Sequence, residues 1–84
     1  MDIQTSARFE HAIERLTKHE RKRLTKTVKR IIEDPSIGKP LRYGRRGERV
    51  LRMGPRRLIY AHHDTTLYLL TLENRDKAYR TGKR

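Results

Sequence analysis

Arginine runs through Arg49-Val-Leu-Arg-Met-Gly-Pro-Arg-Arg-Leu-Ile-Tyr60 in a pattern that a packing role does not explain. Apolar residues on either side of Gly54-Pro55 mark a tight β-hairpin, and arginines fall on both of its faces. A buried guanidinium needs a partner, and two set opposite each other on one face repel. An anion from outside the chain is the simplest reason for them. The planar guanidinium fork matches phosphate oxygens, so phosphate is the chemistry this segment points to.

The hairpin fixes which arginines meet. In a type II′ turn Gly54 supplies the positive φ of the first position and Pro55 the negative φ of the second. Met53 then pairs with Arg56, Arg52 with Arg57, Leu51 with Leu58 and Val50 with Ile59. Strand alternation puts Leu51, Met53, Leu58 and Tyr60 on one face, expected against helices. Glu48, Val50, Arg52, Arg57 and Ile59 share the other, with two guanidiniums side by side. A bound phosphate would turn their repulsion into attraction.

The elements that must hold this hairpin are legible around it. Asp2 to Thr5 reads as a short edge strand. Ser6 is a good N-cap, and Phe9, Ala12, Ile13 and Leu16 form one apolar helical stripe. Thr17-Lys-His-Glu20 has the form of a capping box opening a second helix, with Leu24, Val28, Ile31 and Ile32 on one face. Asp34-Pro35 ends it, because a residue before proline is pushed out of the α region. Residues 35–47, rich in glycine and proline, read as loop. Strands are expected at 48–53, 56–62 and 67–73, with Tyr60 and Tyr68 in or near the core. The expectation is an α+β fold: two antiparallel N-terminal helices on one face of a small, mainly antiparallel, twisted sheet, in the order β-α-α-β-β-β. It forms one domain over residues 1–84.

Composition narrows the partners. The 84-residue chain carries a net charge of +12. The charge lies in two blocks. Residues 38–60 hold eight Lys/Arg against Glu48 alone, among them Arg45, Arg46 and Arg49. Residues 18–30 hold seven against Glu20, among them Lys22, Lys26 and Lys29. Such blocks predict attraction to nucleic acid and steep salt dependence, with a solvated helix face as the plainer reading of the second. Cysteine is absent, which excludes disulfides and thiolate metal sites. His62-His63-Asp64 is not a metal site, since adjacent strand residues point to opposite faces and no third ligand is spaced to help. His11 and His19 lack ligand partners and read as surface. The glycines of 38–47 do not form a phosphate loop, and no cofactor is implied. No apolar run approaches membrane length, so the expected location is the cytoplasm.

Taken in order, these features resemble the RelE/ParE toxin superfamily, over nearly the whole chain. The short strand, the helical pair ending near Glu33-Asp34-Pro35, and Gly38-Lys-Pro-Leu41 all have counterparts there. Its Leu-Arg-x-Gly-x-x-Arg-(Leu/Val)-Ile-Tyr pattern stands here as Leu51 to Tyr60. Its arginine followed four residues on by tyrosine stands as Arg75 and Tyr79. The resemblance implies a RelE-like, microbial-ribonuclease-type fold. In the RelE branch it implies a toxin that cuts mRNA in the decoding site of the ribosome without metal. The substrate's 2′-hydroxyl attacks the adjacent phosphate, leaving a 2′,3′-cyclic phosphate and a 5′-hydroxyl. By position, Arg57 would hold the scissile phosphate, Arg75 would assist, and Tyr79 would stack on a base or position the 2′-hydroxyl. The basic blocks would engage ribosomal RNA, and a cognate antitoxin would cover the basic face.

The chain also departs from the RelE pattern. Glu48 and Val50 replace lysines, Arg56 an aromatic, and Asn74 a histidine. Glu48 is then the candidate acceptor of the 2′-hydroxyl proton, as in sister families that employ a glutamate, while Arg52 and Arg57 act by position and charge. A salt bridge from Glu48 to Arg52 or Arg57 is the structural alternative. The ParE branch, which poisons DNA gyrase, and a basic binding module without catalysis are the competing functional readings.

Overall fold

The computed structural model describes residues 1–41 and 47–74. Its elements are β1 (Asp2–Thr5), α1 (Ala7–Ile13), α2 (Lys18–Glu33), β2 (Lys39–Pro40), β3 (Glu48–Met53), β4 (Arg56–His63) and β5 (Thr66–Asn74). The five strands form one sheet in the order β1-β5-β4-β3-β2. Among the described residues, the β1–β5 pair alone is parallel. Two helices on one face of this sheet give the α+β architecture that the apolar periodicity implied.

The helices begin where short polar side chains take up free amides. Ser6 Oγ accepts from the Phe9 amide at 3.0 Å, and its hydroxyl donates to the Leu70 carbonyl, which ties the start of α1 to β5. At α2, Thr17 Oγ1 accepts from the Glu20 amide at 3.1 Å and Glu20 Oε1 accepts from the Thr17 amide at 2.8 Å. That is the expected capping box. Asp34 leaves the helical region at φ −147, ahead of Pro35, as expected. Helix α1 is one turn shorter than its stripe. Thr17 must be extended to cap α2 (ψ 168), so the chain turns over residues 14–16. Leu16 still enters the core from that turn.

The core is Phe9, Leu16 and Ile31 from the helical side against Met53, Leu58, Tyr60, Leu67, Leu69 and Leu72 from the sheet. Leu58, Tyr60, Leu67 and Ile31 are fully buried. Tyr60 also makes the fold's main polar tie. Its hydroxyl donates to the Pro35 carbonyl at 2.7 Å and accepts from the Gly38 amide at 2.9 Å. Glycine is required there, because a Cβ at residue 38 would lie 2.8 Å from the Tyr60 oxygen. Burial raises the Tyr60 pKa, opposed by the Gly38 amide.

Two expectations need correction. Residues 35–47 are not all loop. Lys39 and Pro40 pair with Val50 and Arg49 as a short edge strand, a position that tolerates proline. Strands β4 and β5 also run to a closer turn than expected. His63 pairs with Thr66 across Asp64-Thr65, with Asp64 at φ 54, a left-handed conformation that aspartate tolerates.

Candidate nucleic-acid interface

The register on which the arginine argument depends is the one the turn chemistry implies. Met53 pairs with Arg56, Arg52 with Arg57, Leu51 with Leu58 and Val50 with Ile59, and Gly54 sits at φ 62. Met53, Leu58 and Tyr60 are buried toward the helices. Arg52 and Arg57 are therefore side by side on the opposite face, which the described helices do not cover.

A third charge joins them. Across β4 and β5, Arg57 pairs with Glu73, so Arg52, Arg57 and Glu73 form one row across three strands. Neighbouring strands lie ~4.8 Å apart, so the row is ~10 Å long. Among the described residues the ion pairs are His11–Glu14, Arg56–Glu20 and His63–Asp64. No member of the row takes part in them.

Glu73 owes its place to a β-bulge. The β4–β5 register shifts between Ile59 and Tyr60: Ile59 pairs with Thr71, but Tyr60 pairs with Leu69. Leu70 is the additional residue. A strict period of two continued from Leu67 and Leu69 would turn Thr71 and Glu73 under the helices. The bulge turns Leu72 inward instead and leaves Thr71 and Glu73 on the arginine face. The signal was present in the sequence as Leu67, Leu69, then Leu72, with polar residues at 71 and 73.

The remaining expected site residues fall in different places. Glu48 lies on the arginine face, opposite Ala61 and four residues from Arg52, which is ~13 Å along the strand. Arg49 points to the helix side. Its Nη1 donates to the Gly38 carbonyl at 2.7 Å and to the Ser36 carbonyl at 3.3 Å, so it also braces the loop after α2. Arg49 borders an open cleft of about 360 Å³ with Asp34, Pro35, Ser36, Gly47 and His62, separate from the arginine row. Hydrogen bonds from the Ser36 hydroxyl and amide hold the Asp34 carboxyl below its ordinary value.

Lys22, Lys26 and Lys29 are exposed on α2, whose Thr27 and Ile31 face the sheet. These lysines lie on the side of the molecule away from Arg52 and Arg57. Arg45, Arg46, Arg75 and Tyr79 lie outside the described residues. Among those described, no group of three or more His, Cys, Asp or Glu residues could hold a metal. No described helix is long and apolar enough to cross a membrane.

A two-helix layer on a five-stranded sheet, with arginines paired on its other face, defines a class of small basic α+β domains. The model of the ParE toxins of type II toxin–antitoxin systems matches residues 3–79, and the chain belongs to that family, within the RelE/ParE toxin superfamily. Its fold is also that of solved relatives. The isolated RelE toxin of E. coli is 19% identical, with a TM-score of 0.76 over 98% of this chain and 94% of that one. A chain of the intact E. coli RelBE toxin–antitoxin complex is 23% identical, with a TM-score of 0.75 over 87% and 94%. YafQ from E. coli strain BL21(DE3) is 20% identical, with a TM-score of 0.74 over 93% and 97%. A comparison with curated protein sequences finds no significant match.

Proposed function

We propose that this toxin is a ribosome-dependent endoribonuclease that cuts mRNA in the decoding site and so stops translation. The observation that carries the proposal is the Arg52–Arg57 pair on the sheet face away from the described helices, outside every ion pair among the described residues. Two opposed guanidiniums on a strand pair disfavour the sheet unless an anion lies between them. An mRNA phosphate fits that position, and the fold shared with RelE and YafQ supports the same reading.

Catalysis here needs position and charge more than a cofactor. The 2′-hydroxyl attacks the phosphorus while Arg57 and Arg52 stabilise charge growing on the non-bridging oxygens. Removal of one such donor typically costs ~3–4 kcal/mol of transition-state stabilisation. Arg75 assists at the phosphate, and Tyr79 stacks on a base or positions the 2′-hydroxyl. The family pattern points to a carboxylate as proton acceptor, with Glu48 a candidate by position. The lysines of α2, with Arg45, Arg46 and Arg49, engage ribosomal RNA while the arginine row takes the message. Charges on two sides of a small domain suit a cleft with RNA walls. A cognate antitoxin, like the partner in the RelBE complex, would bind and silence the basic face.

Expression in growing cells, with primer extension on translated mRNA, tests this. The parent chain should arrest growth and give cuts at a fixed codon position, and Arg57→Ala should give neither. A gyrase-directed toxin is the second reading. It is favoured by the ParE toxin family model and by Glu48 and Val50 standing on β3 where RelE-type lysines would be. That reading requires intact mRNA together with gyrase-trapped DNA breaks. Growth without either lesion would leave a binding module and refute both toxin mechanisms.

A further inference from the structure

We infer that Glu73 is the group that accepts the 2′-hydroxyl proton, an assignment that rests on the nuclease reading above. The reason is where the register places the two carboxylates of the arginine face. Glu73 is directly opposite Arg57, and Arg57 is directly opposite Arg52. Glu48 shares the face but lies four residues from Arg52 along β3. Directly opposed Cβ atoms are ~4.5–5.5 Å apart, whereas four strand residues span ~13 Å. A phosphate held between the two guanidiniums therefore has Glu73 at its flank. The attacking oxygen stands ~3 Å from phosphorus, and a base must come within hydrogen-bond reach of it. Glu73 can meet both conditions from the position next to Arg57.

The surroundings of Glu73 suit a base. It is exposed at the end of β5, where a substrate can reach it. From β4 it faces Arg57, with Arg52 behind that on β3, and the nearest side chain on its own face of β5 is Thr71. Strand β1 pairs with β5 only over Thr66 to Leu69 and brings no charge near it. A carboxylate is a side-chain group that can take this proton. Neither arginine can do so, because both stay protonated.

The step balances without a further reactant. The 2′-hydroxyl gives its proton to the Glu73 carboxylate as the 2′-oxygen bonds to phosphorus. The P–O5′ bond breaks, and the leaving 5′-oxygen takes a proton from water. The products are a 2′,3′-cyclic phosphate and a 5′-hydroxyl, and Glu73 returns its proton to solvent.

The test is single-turnover cleavage of mRNA on programmed ribosomes, measured against pH and alongside ribosome binding. Glu73→Gln should bind ribosomes as the parent does, cleave about 100-fold more slowly or worse, and lose the acid limb of the pH–rate profile. Glu73→Asp should restore part of the rate together with that limb. A Glu73→Gln variant that cleaves at the parent rate overturns the assignment. So does one that is slow with its acid limb intact, or a Glu48→Gln variant that alone loses the limb. A parent chain that leaves the message whole refutes the nuclease reading itself, and the assignment falls with it.

Discussion

Arg56 and Arg57 are neighbours in β4, yet they serve opposite sides of the molecule. Arg56 turns toward the helices and bonds Glu20, with its Nη2 3.2 Å from Oε2. Arg57 turns the other way, between Arg52 and Glu73, and enters no ion pair among the described residues. One cation is committed to the fold, and the other faces away from the described helices. A single step along a strand separates them, because side chains alternate between the two faces.

The largest effects should separate the same two faces. Leu58, which follows Arg57, is fully buried, and Leu58→Ala should cost ~2–5 kcal/mol, read as a large fall in Tm. Arg57→Ala should change stability by under ~0.5 kcal/mol while lowering mRNA cleavage roughly 100- to 1,000-fold. Equal loss of Tm in the two variants would break the division between faces. The polar tie of the covered face comes next. Tyr60→Phe leaves the Gly38 amide and the Pro35 carbonyl without their buried partner, for ~1–3 kcal/mol by thermal or denaturant unfolding. A Tm unchanged by that substitution would show that water replaces the hydroxyl.

Arg52→Thr sharpens the comparison from the open side. It removes the like charge directly opposite Arg57 and leaves Glu73 opposite Arg57 on the other side. The variant should gain ~0.2–1 kcal/mol in stability and lose cleavage activity. Loss of both stability and activity would mean that Arg52 supports the sheet, not the substrate. Replacing Lys22, Lys26 and Lys29 together by alanine addresses the outer side of α2. The slope of log affinity against log salt, measured on RNA, should fall by about 2–3 units, with Tm little changed.

How much of this was legible in the chain depends on the range of the interaction. Short-range chemistry was readable. The Gly54-Pro55 turn fixes the β3–β4 register, and Thr17 with Glu20 marks the start of α2. From these follow the face of Arg57 and the burial of Leu58 and Tyr60. What could not be read depended on distant strands. The β4–β5 bulge reverses which side Glu73 takes, and its only trace is a leucine at 72 where strict alternation calls for 71. The pairing of Lys39 and Pro40 with β3 needs a partner nine or more residues away. Arg56 looked like an oddity beside Arg57 until α2 brought Glu20 to it.

That Arg56–Glu20 contact gives the smallest prediction, and the one most sensitive to pH. Glu20 has two tasks: Oε1 caps the Thr17 amide, and Oε2 accepts from Arg56. The Thr17 amide holds its carboxyl below the ordinary carboxylate value; desolvation opposes this, and the Arg56 side chain adds to the lowering. A depressed folded value favours the folded state above the unfolded value and withdraws that support as pH falls through the folded one. The Tm of the parent should therefore decline with acid through the carboxylate range. Glu20→Gln should lower Tm slightly at neutral pH and decline less steeply below it, while Arg56→Met removes only part of the slope. Because Arg56 lies on the covered face, neither variant should change cleavage at neutral pH. A cleavage rate that fell with Arg56 as it does with Arg57 would show that the two neighbours act on one ligand, and the separation of faces would no longer account for the site.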